Sequence, residues 1–369
     1  MKKFAQKALL LCVSVAASLL LAELVVSLAE PQDLSGTWGE QTESGLVVNK
    51  SAGRARHQLG SRVVYYSFTK PHLRAPAHGA SIKVLVLGDS YAFGYLLGDG
   101  DTPVNLLQTR LDEEFGPRTF SLHNAAVGGW GAGDYVAFVE DFGEEIAPDI
   151  ILVFLNTDDI GRALRSPLWN YSPADANLTR AVAQRGRLKV LLNGLPGYQW
   201  LLEHSHLVQL LRNQAERFYT KPSRRGPVPP SGGTGFEQEV ESSERGRALG
   251  VALFERLSSW CKKRNVQLLV ATTGWHKPPY SDSSGPTEAF MSGAEQLFSS
   301  LGVPFSDPSN VLRPRVDVDP GAYTIQGDGH PNEAGAALTA DYAFPFVKSQ
   351  LGSYCRLTGR CKERVGASP

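Results

Sequence analysis

Ser90 stands where the character of the chain changes abruptly. Four apolar residues, "VLVL" at 84–87, run straight into Gly88-Asp89-Ser90. A serine hydroxyl is a weak nucleophile by itself. It becomes useful when a base can take its proton and N–H donors can hold the oxyanion that grows on a carbonyl under attack. Three other stretches carry such parts. "NAAVGGWG" (124–131) offers glycine N–H groups, "FLNTDDI" (154–160) an amide and carboxylates, and "GDGHPNEAG" (327–335) His330 beside Asp328. A neutral imidazole can accept the serine proton and later return it to the leaving group. Of eight histidines, His330 is the one in such a setting, with His276 in "GWHKPPY" (274–280) as the reserve. The chemistry within reach of this set is acyl transfer through a covalent serine ester.

Something must carry these four stretches to one place. "IKVLVLG" (82–88) is a continuous apolar run, as expected of a parallel strand covered on both faces. "PVNLLQTRLDEEF" (103–115) has helical apolar spacing, "TFSLHNAAV" (119–127) reads as a strand, "DYVAFVEDFGEEIA" (134–147) as a helix and "DIILVFLN" (149–156) as a strand. The rhythm breaks over 160–243, which holds the helical stretch "YQWLLEHSHLVQLLRNQAERF" (198–218) and the linker-like "PSRRGPVPPSGGTG" (222–235). It resumes with a helix over 243–264, the strand "VQLLVATT" (266–273), a helix over 286–301, a short strand in "VPFSD" (303–307) and a last helix after Asn332. Strands alternating with helices predict a parallel sheet with helices on both sides, and active sites of such sheets lie at the carboxyl ends of the strands. Ser90, Gly129 and Asn156 each follow such an end.

The N-terminus reads differently. Lys2, Lys3 and Lys7 precede an apolar run from Ala8 to Ala22, which resumes after Glu23 as "LVVSLA". A basic region before a hydrophobic one marks a secretory signal, and "SLA" at 27–29 could be its cleavage site. The stretch is also long enough to span a membrane, with the lysines inside and the body outside. The uncleaved anchor is the favoured reading, and both readings export the body to the periplasm or cell surface. Cys355 and Cys361 could pair there, whereas Cys261 in a helical pattern reads as a small buried residue. Equal numbers of acidic and basic side chains, 37 each, argue against a nucleic-acid partner. No Cys/His or carboxylate cluster has metal-ligand spacing and no phosphate-cradling loop occurs, so neither a metal nor a cofactor is expected. The expected organisation is a signal or anchor (1–29), an N-terminal extension (30–80) with a short strand in "RVVYYSF" (62–68), a catalytic domain (81–352) with an insertion at about 160–243, and a C-terminal tail (353–369).

Taken in order, these motifs resemble those of the SGNH (GDSL-type) hydrolases, and the resemblance covers about 80–350. It implies a three-layer α/β/α sandwich with a central parallel sheet, flavodoxin-like in type, and an esterase, thioesterase or acetyltransferase activity. "GDSY" resembles the nucleophile block, "NAAVGGWG" the block whose glycine donates its backbone N–H, and "DGHPNEAG" the block of the catalytic histidine. Ser90 is then the nucleophile, His330 the base, and Ser90, Gly129 and Asn156 the donors to the oxyanion. The sequence departs from the family pattern twice. The acid usually stands three residues before the histidine, where this chain has Gly327, so Asp328 must serve from two residues away. The third block is usually G-x-N-D, and "NTDD" (156–159) puts Asp158 where the asparagine belongs. Either Asn156 serves instead, or Asp158 turns away or is protonated, or the hole has two donors. Tyr91 and Trp130 follow the nucleophile and the glycine loop and are expected to wall the substrate pocket, with ordinary packing as the alternative. The expected function is an exported serine esterase acting on acyl esters, most simply O-acetyl groups of envelope or extracellular carbohydrate. The alternative is a catalytically silent polysaccharide-binding or assembly protein on the same fold.

Overall fold

The computed structural model describes residues 2–75, 79–156, 158–172, 177–181, 192–219, 235–276 and 285–361. The chain divides into two compact units. The smaller comprises Met1–Thr37, Ala55–Val64 and Arg187–Ser231, and the larger Trp38–Arg54, Tyr65–Gly186 and Gly232–Pro369.

The larger unit is an α/β fold on a mostly parallel sheet. The sheet includes the strands β1 (Leu73–Arg74), β2 (Ile82–Leu87), β3 (Phe120–Asn124), β4 (Ile150–Leu155), β5 (Gln267–Thr272) and β6 (Phe305–Ser306). The parallel part has the spatial order β6-β5-β4-β2-β3, and β1 joins β3 antiparallel through Arg74 opposite Asn124. β2 lies between β3 and β4, so the strand order reverses beside it, and a crevice opens at the carboxyl ends there. The register aligns those ends: Val86 pairs with Asn124, Leu87 with Val153, and Leu155 with Thr272. Every residue of β4 is buried and β2 exposes little more than Lys83, which is why both read as unbroken apolar runs. Leu85, Leu87, Ile151, Val153 and Leu155 pack with the helices Ala132–Ile146 and Gly235–Arg264 in one core. The helices Pro103–Phe115 and Glu333–Thr358 pack on each other.

Several sequence-predicted boundaries move. The stretch 198–218 is two helices, Tyr198–His204 and His206–Tyr219, broken at Ser205, and 286–301 is likewise two, Pro286–Met291 and Ala294–Leu301. The last helix, expected after Asn332, runs from Glu333 to Thr358, and a disulfide joins Cys355 in its final turns to Cys361 just beyond it. The linker-like 222–234 lies outside the described residues. The extension 30–80 and the insertion 160–243 are each divided between the two units. The reason is apolar: Leu46 and Val48 of the hairpin Gly39–Gln41/Val47–Asn49, and Ile160, Ala163, Leu168 and Trp169 from the start of the insertion, are buried in the larger unit's own core.

His123 of β3 gives this fold a testable pH dependence. Burial, with Lys83 nearby, drives its imidazole down to about 4, and neither ring nitrogen has a hydrogen-bond partner among the described residues. The unfolded imidazole titrates near its ordinary 6.5, so between pH 6.5 and 4 the unfolded chain binds a proton that the fold refuses. Stability therefore falls as pH drops through that window, by up to about 3 kcal/mol for this group. Urea denaturation at pH 7 and pH 4.5 should show His123→Leu losing distinctly less stability on acidification than the wild type.

Candidate active site

Ser90 begins a four-residue helix, Ser90–Phe93, directly after β2. Asp89 is its N-cap, with Oδ1 accepting the Tyr91 N–H at 2.9 Å. The short turn beyond is closed from below by Arg74, a fully buried side chain that donates to the carbonyls of Phe93, Gly94 and Leu97. His330 arrives on the loop before the last helix, two residues ahead of Asn332, whose side chain caps that helix by accepting the Gly335 N–H at 3.0 Å. Its Nε2 lies 2.9 Å from Ser90 Oγ, and its Nδ1 lies 2.5 Å from Asp328 Oδ1. Asp328 Oδ1 also accepts the His330 backbone N–H at 3.1 Å. Gly329 between them has φ +91°, a left-handed turn that brings a carboxylate two residues away back onto the ring. An Nδ1–H held by a carboxylate leaves Nε2 with its lone pair toward the hydroxyl, the tautomer a general base needs.

The other residues expected to donate to an oxyanion lie on the neighbouring loops. Gly129 after β3 has φ +85°, and the space where a Cβ would stand is open. Gly128 is also close, its Cβ position 3.8 Å from Ser90 Cβ. Among the described residues neither the Ser90 nor the Gly129 N–H has a hydrogen-bond acceptor. Asn156 follows β4 and is buried; its Nδ2 donates to Asp89 Oδ2 at 2.9 Å and its Oδ1 accepts from Thr273 Oγ1 at 2.9 Å. Asp158 is turned outward, 49% exposed and paired with Arg165 at 2.5 Å, so of the alternatives in "NTDD" the carboxylate turns away and Asn156 lies beneath the nucleophile turn.

A buried charged network underlies this arrangement. Asp89 Oδ2 accepts from Arg162 Nη1 at 2.8 Å as well as from Asn156. The same guanidinium donates to the Trp130 carbonyl at 3.0 Å and lies 3.6 Å from Asp159 Oδ1. Asp159 Oδ2 accepts the Asn156 N–H and the Tyr135 hydroxyl, both at 2.7 Å. Burial, and then the nearby Asp89, push the Asp159 carboxyl well up; burial, and then the nearby Asp159, do the same to the Tyr135 phenol.

The aromatic side chains sort differently from expectation. Tyr91 lies beside the site, its ring 5.3 Å from that of His330, and burial raises its phenol. Trp130 does not wall a pocket: it is 2% exposed, its Nε1 donates to the Val47 carbonyl, and its ring packs on Phe138. Its place beside the imidazole is taken by Tyr95, with ring centres 4.8 Å apart, and Trp275 lies behind Tyr91 at 5.9 Å. His276 is buried 3.3 Å from Asp307. Among the described residues no group of three or more His, Cys, Asp or Glu side chains could hold a metal ion. Sequence reasoning missed Arg74, Tyr95, Arg162 and Trp275. Only Arg162 left a trace, a cation three and four residues after Asp159 and Asp158 on a helix.

Residues 86–338 match the GDSL-like lipase/acylhydrolase family. No curated protein matches the chain. Among solved structures, the psychrotrophic esterase EstA from Pseudoalteromonas sp. is similar at 16% identity, over 73% of this chain and 98% of that one, with a TM-score of 0.41. The acetyl xylan esterase AlAXEase is similar at 14% identity, over 72% and 100% of the two chains, with a TM-score of 0.39. A two-domain esterase (CEX) active on acetylated mannans is similar at 14% identity, over 73% and 49%, with a TM-score of 0.41.

Removing one partner of a buried ion pair strands the other charge. Arg162→Met should therefore destabilise the protein by about 3 kcal/mol in urea denaturation. Combining it with Asp89→Asn should recover part of that loss, because the stranded charge is gone.

Proposed function

Because the chain belongs to the GDSL-like lipase/acylhydrolase family, we propose that it is a serine esterase whose nucleophile is Ser90. The observation that carries this reading is the continuous relay from Ser90 Oγ to His330 Nε2 at 2.9 Å and from His330 Nδ1 to Asp328 at 2.5 Å. Ser90 Oγ attacks the ester carbonyl while His330 takes its proton. Asp328 holds the ring and balances the imidazolium charge. The N–H groups of Ser90 and Gly129, with the Asn156 amide, stabilise the oxyanion. His330 then protonates the departing alcohol, leaving an acyl-serine. Water activated by the same imidazole releases the acid; a sugar hydroxyl in its place would receive the acyl group.

The substrate in this reading is an acyl ester on carbohydrate, most simply an O-acetyl group. A small acyl group suits a nucleophile that is only 8% exposed. The rings of Tyr91 and Tyr95 beside His330 suit a sugar, whose C–H faces pack on aromatic surfaces. The location is outside the cytoplasm, behind a membrane anchor. Support comes from the exposed helix within Lys3–Ala29, long and apolar enough to cross a membrane, and from the Cys355–Cys361 disulfide, a bond that persists in oxidising compartments.

Hydrolysis of p-nitrophenyl acetate tests the reading. Wild type should turn over, Ser90→Ala should fall to background, and Asp328→Asn should lose roughly 10³–10⁴-fold in kcat with its thermal stability kept. Equal, background-level turnover in wild type and Ser90→Ala contradicts it and favours a silent carbohydrate-binding role on the same fold.

A further inference from the structure

The apolar segment from Ala8 to Ala29 carries one acidic residue, Glu23, within its last two turns. An ionisable group in such a segment is costly unless satisfied, and its partners mark what it is for. In the smaller unit the partners of Glu23 converge on one point. Its Oε2 accepts from Ser205 Oγ at 2.6 Å and from the Leu207 N–H at 3.0 Å, and its Oε1 accepts from the His206 N–H at 2.7 Å. Ser205 Oγ in turn accepts the Val208 N–H at 3.1 Å, and the Gln209 N–H begins the helical ladder on the Ser205 carbonyl. A helix leaves its first N–H groups without internal partners, and its N-terminus favours negative charge. Here the first three are all satisfied, two of them by a residue more than 180 positions earlier.

The chain just past Ala29 continues along the same helix. Gln32 N–H donates to His206 Nδ1 at 2.9 Å, Asn213 Nδ2 to Gln32 Oε1 at 3.1 Å, and Gln209 Nε2 to the Ser35 carbonyl at 2.5 Å. Five residues before Ser205, Trp200 is 61% exposed, a residue type that gathers where proteins leave a bilayer. Cleavage after Ala29 would remove Glu23 and strip the Ser205 hydroxyl and two helix N–H groups of their acceptor.

We propose that the apolar helix is retained in the mature protein as a membrane anchor, and that Glu23 is the remote cap of helix His206–Tyr219, joining the anchor to the exported fold. This rests on the exported, anchored reading above and is independent of the catalytic assignments. The test uses the full chain, with a C-terminal tag, taken from bacterial membranes into detergent. Intact-mass analysis should find residues 1–29 present, and the protein should stay in the membrane pellet after alkaline carbonate. Thermal unfolding of the purified chain then isolates the cap. Glu23→Leu makes the segment more apolar and would favour a bare anchor, yet it should lower the unfolding temperature by several degrees. Glu23→Gln, whose amide oxygen still accepts, should lose less. A soluble chain beginning near residue 30 overturns both the anchor and the cap. A retained chain in which Glu23→Leu unfolds at the wild-type temperature overturns the cap alone.

Discussion

One hydrogen bond, from Ser90 Oγ to His330 Nε2, joins side chains 240 positions apart, and the larger unit is arranged around it. Local chain geometry cannot make such a contact. It needs a sheet that stops Ser90 at a strand end, and a loop anchored on both sides that returns the imidazole to the same edge. The parallel register of β2, β3 and β4 supplies the first. The cap of Asn332 on the last helix, with the backbone bond from Ile325 N–H to the His330 carbonyl at 2.8 Å, supplies the second.

A second constraint is electrostatic. The turn that presents Ser90, the proposed nucleophile, needs Asp89 to cap its short helix, which places a carboxylate with no exposed surface beneath that serine. An unpaired charge there would be costly and would oppose a developing oxyanion. Arg162, the Asn156 amide and the Tyr91 N–H neutralise it from three directions. The bond that steadies Asp89 also fixes Asn156, so the third strand end and the nucleophile are positioned together. The outward turn of Asp158 onto Arg165 belongs to the same logic, since it removes a second carboxylate from the site.

What was legible in the sequence was local. The strand ends at Ser90, Gly129 and Asn156 are visible because buried parallel strands read as apolar runs that stop abruptly at small and polar residues. His330 is visible because its loop leads into a capped helix. Asp328 needed only the two-residue spacing, although the left-handed turn at Gly329 that lets it reach the ring has no sequence signature beyond the glycine itself. The rest depended on packing across the fold. Arg74 reaches the nucleophile turn from an antiparallel strand, and Tyr95 reaches the imidazole from a turn beyond the Ser90 helix. Trp130 looked available from its motif and proved to be core, because a hairpin from the N-terminal extension covers it. The division into two units was hidden for the same reason: each is assembled from three separated segments.

The central claim is that His330 activates Ser90. The most direct measurement is covalent labelling by a fluorophosphonate, with the modified peptide identified by mass spectrometry. The relay predicts a single adduct on Ser90 in the wild type, and its loss in His330→Ala at unchanged thermal stability. An unlabelled Ser90 in folded wild type, or equal labelling in His330→Ala, would contradict it.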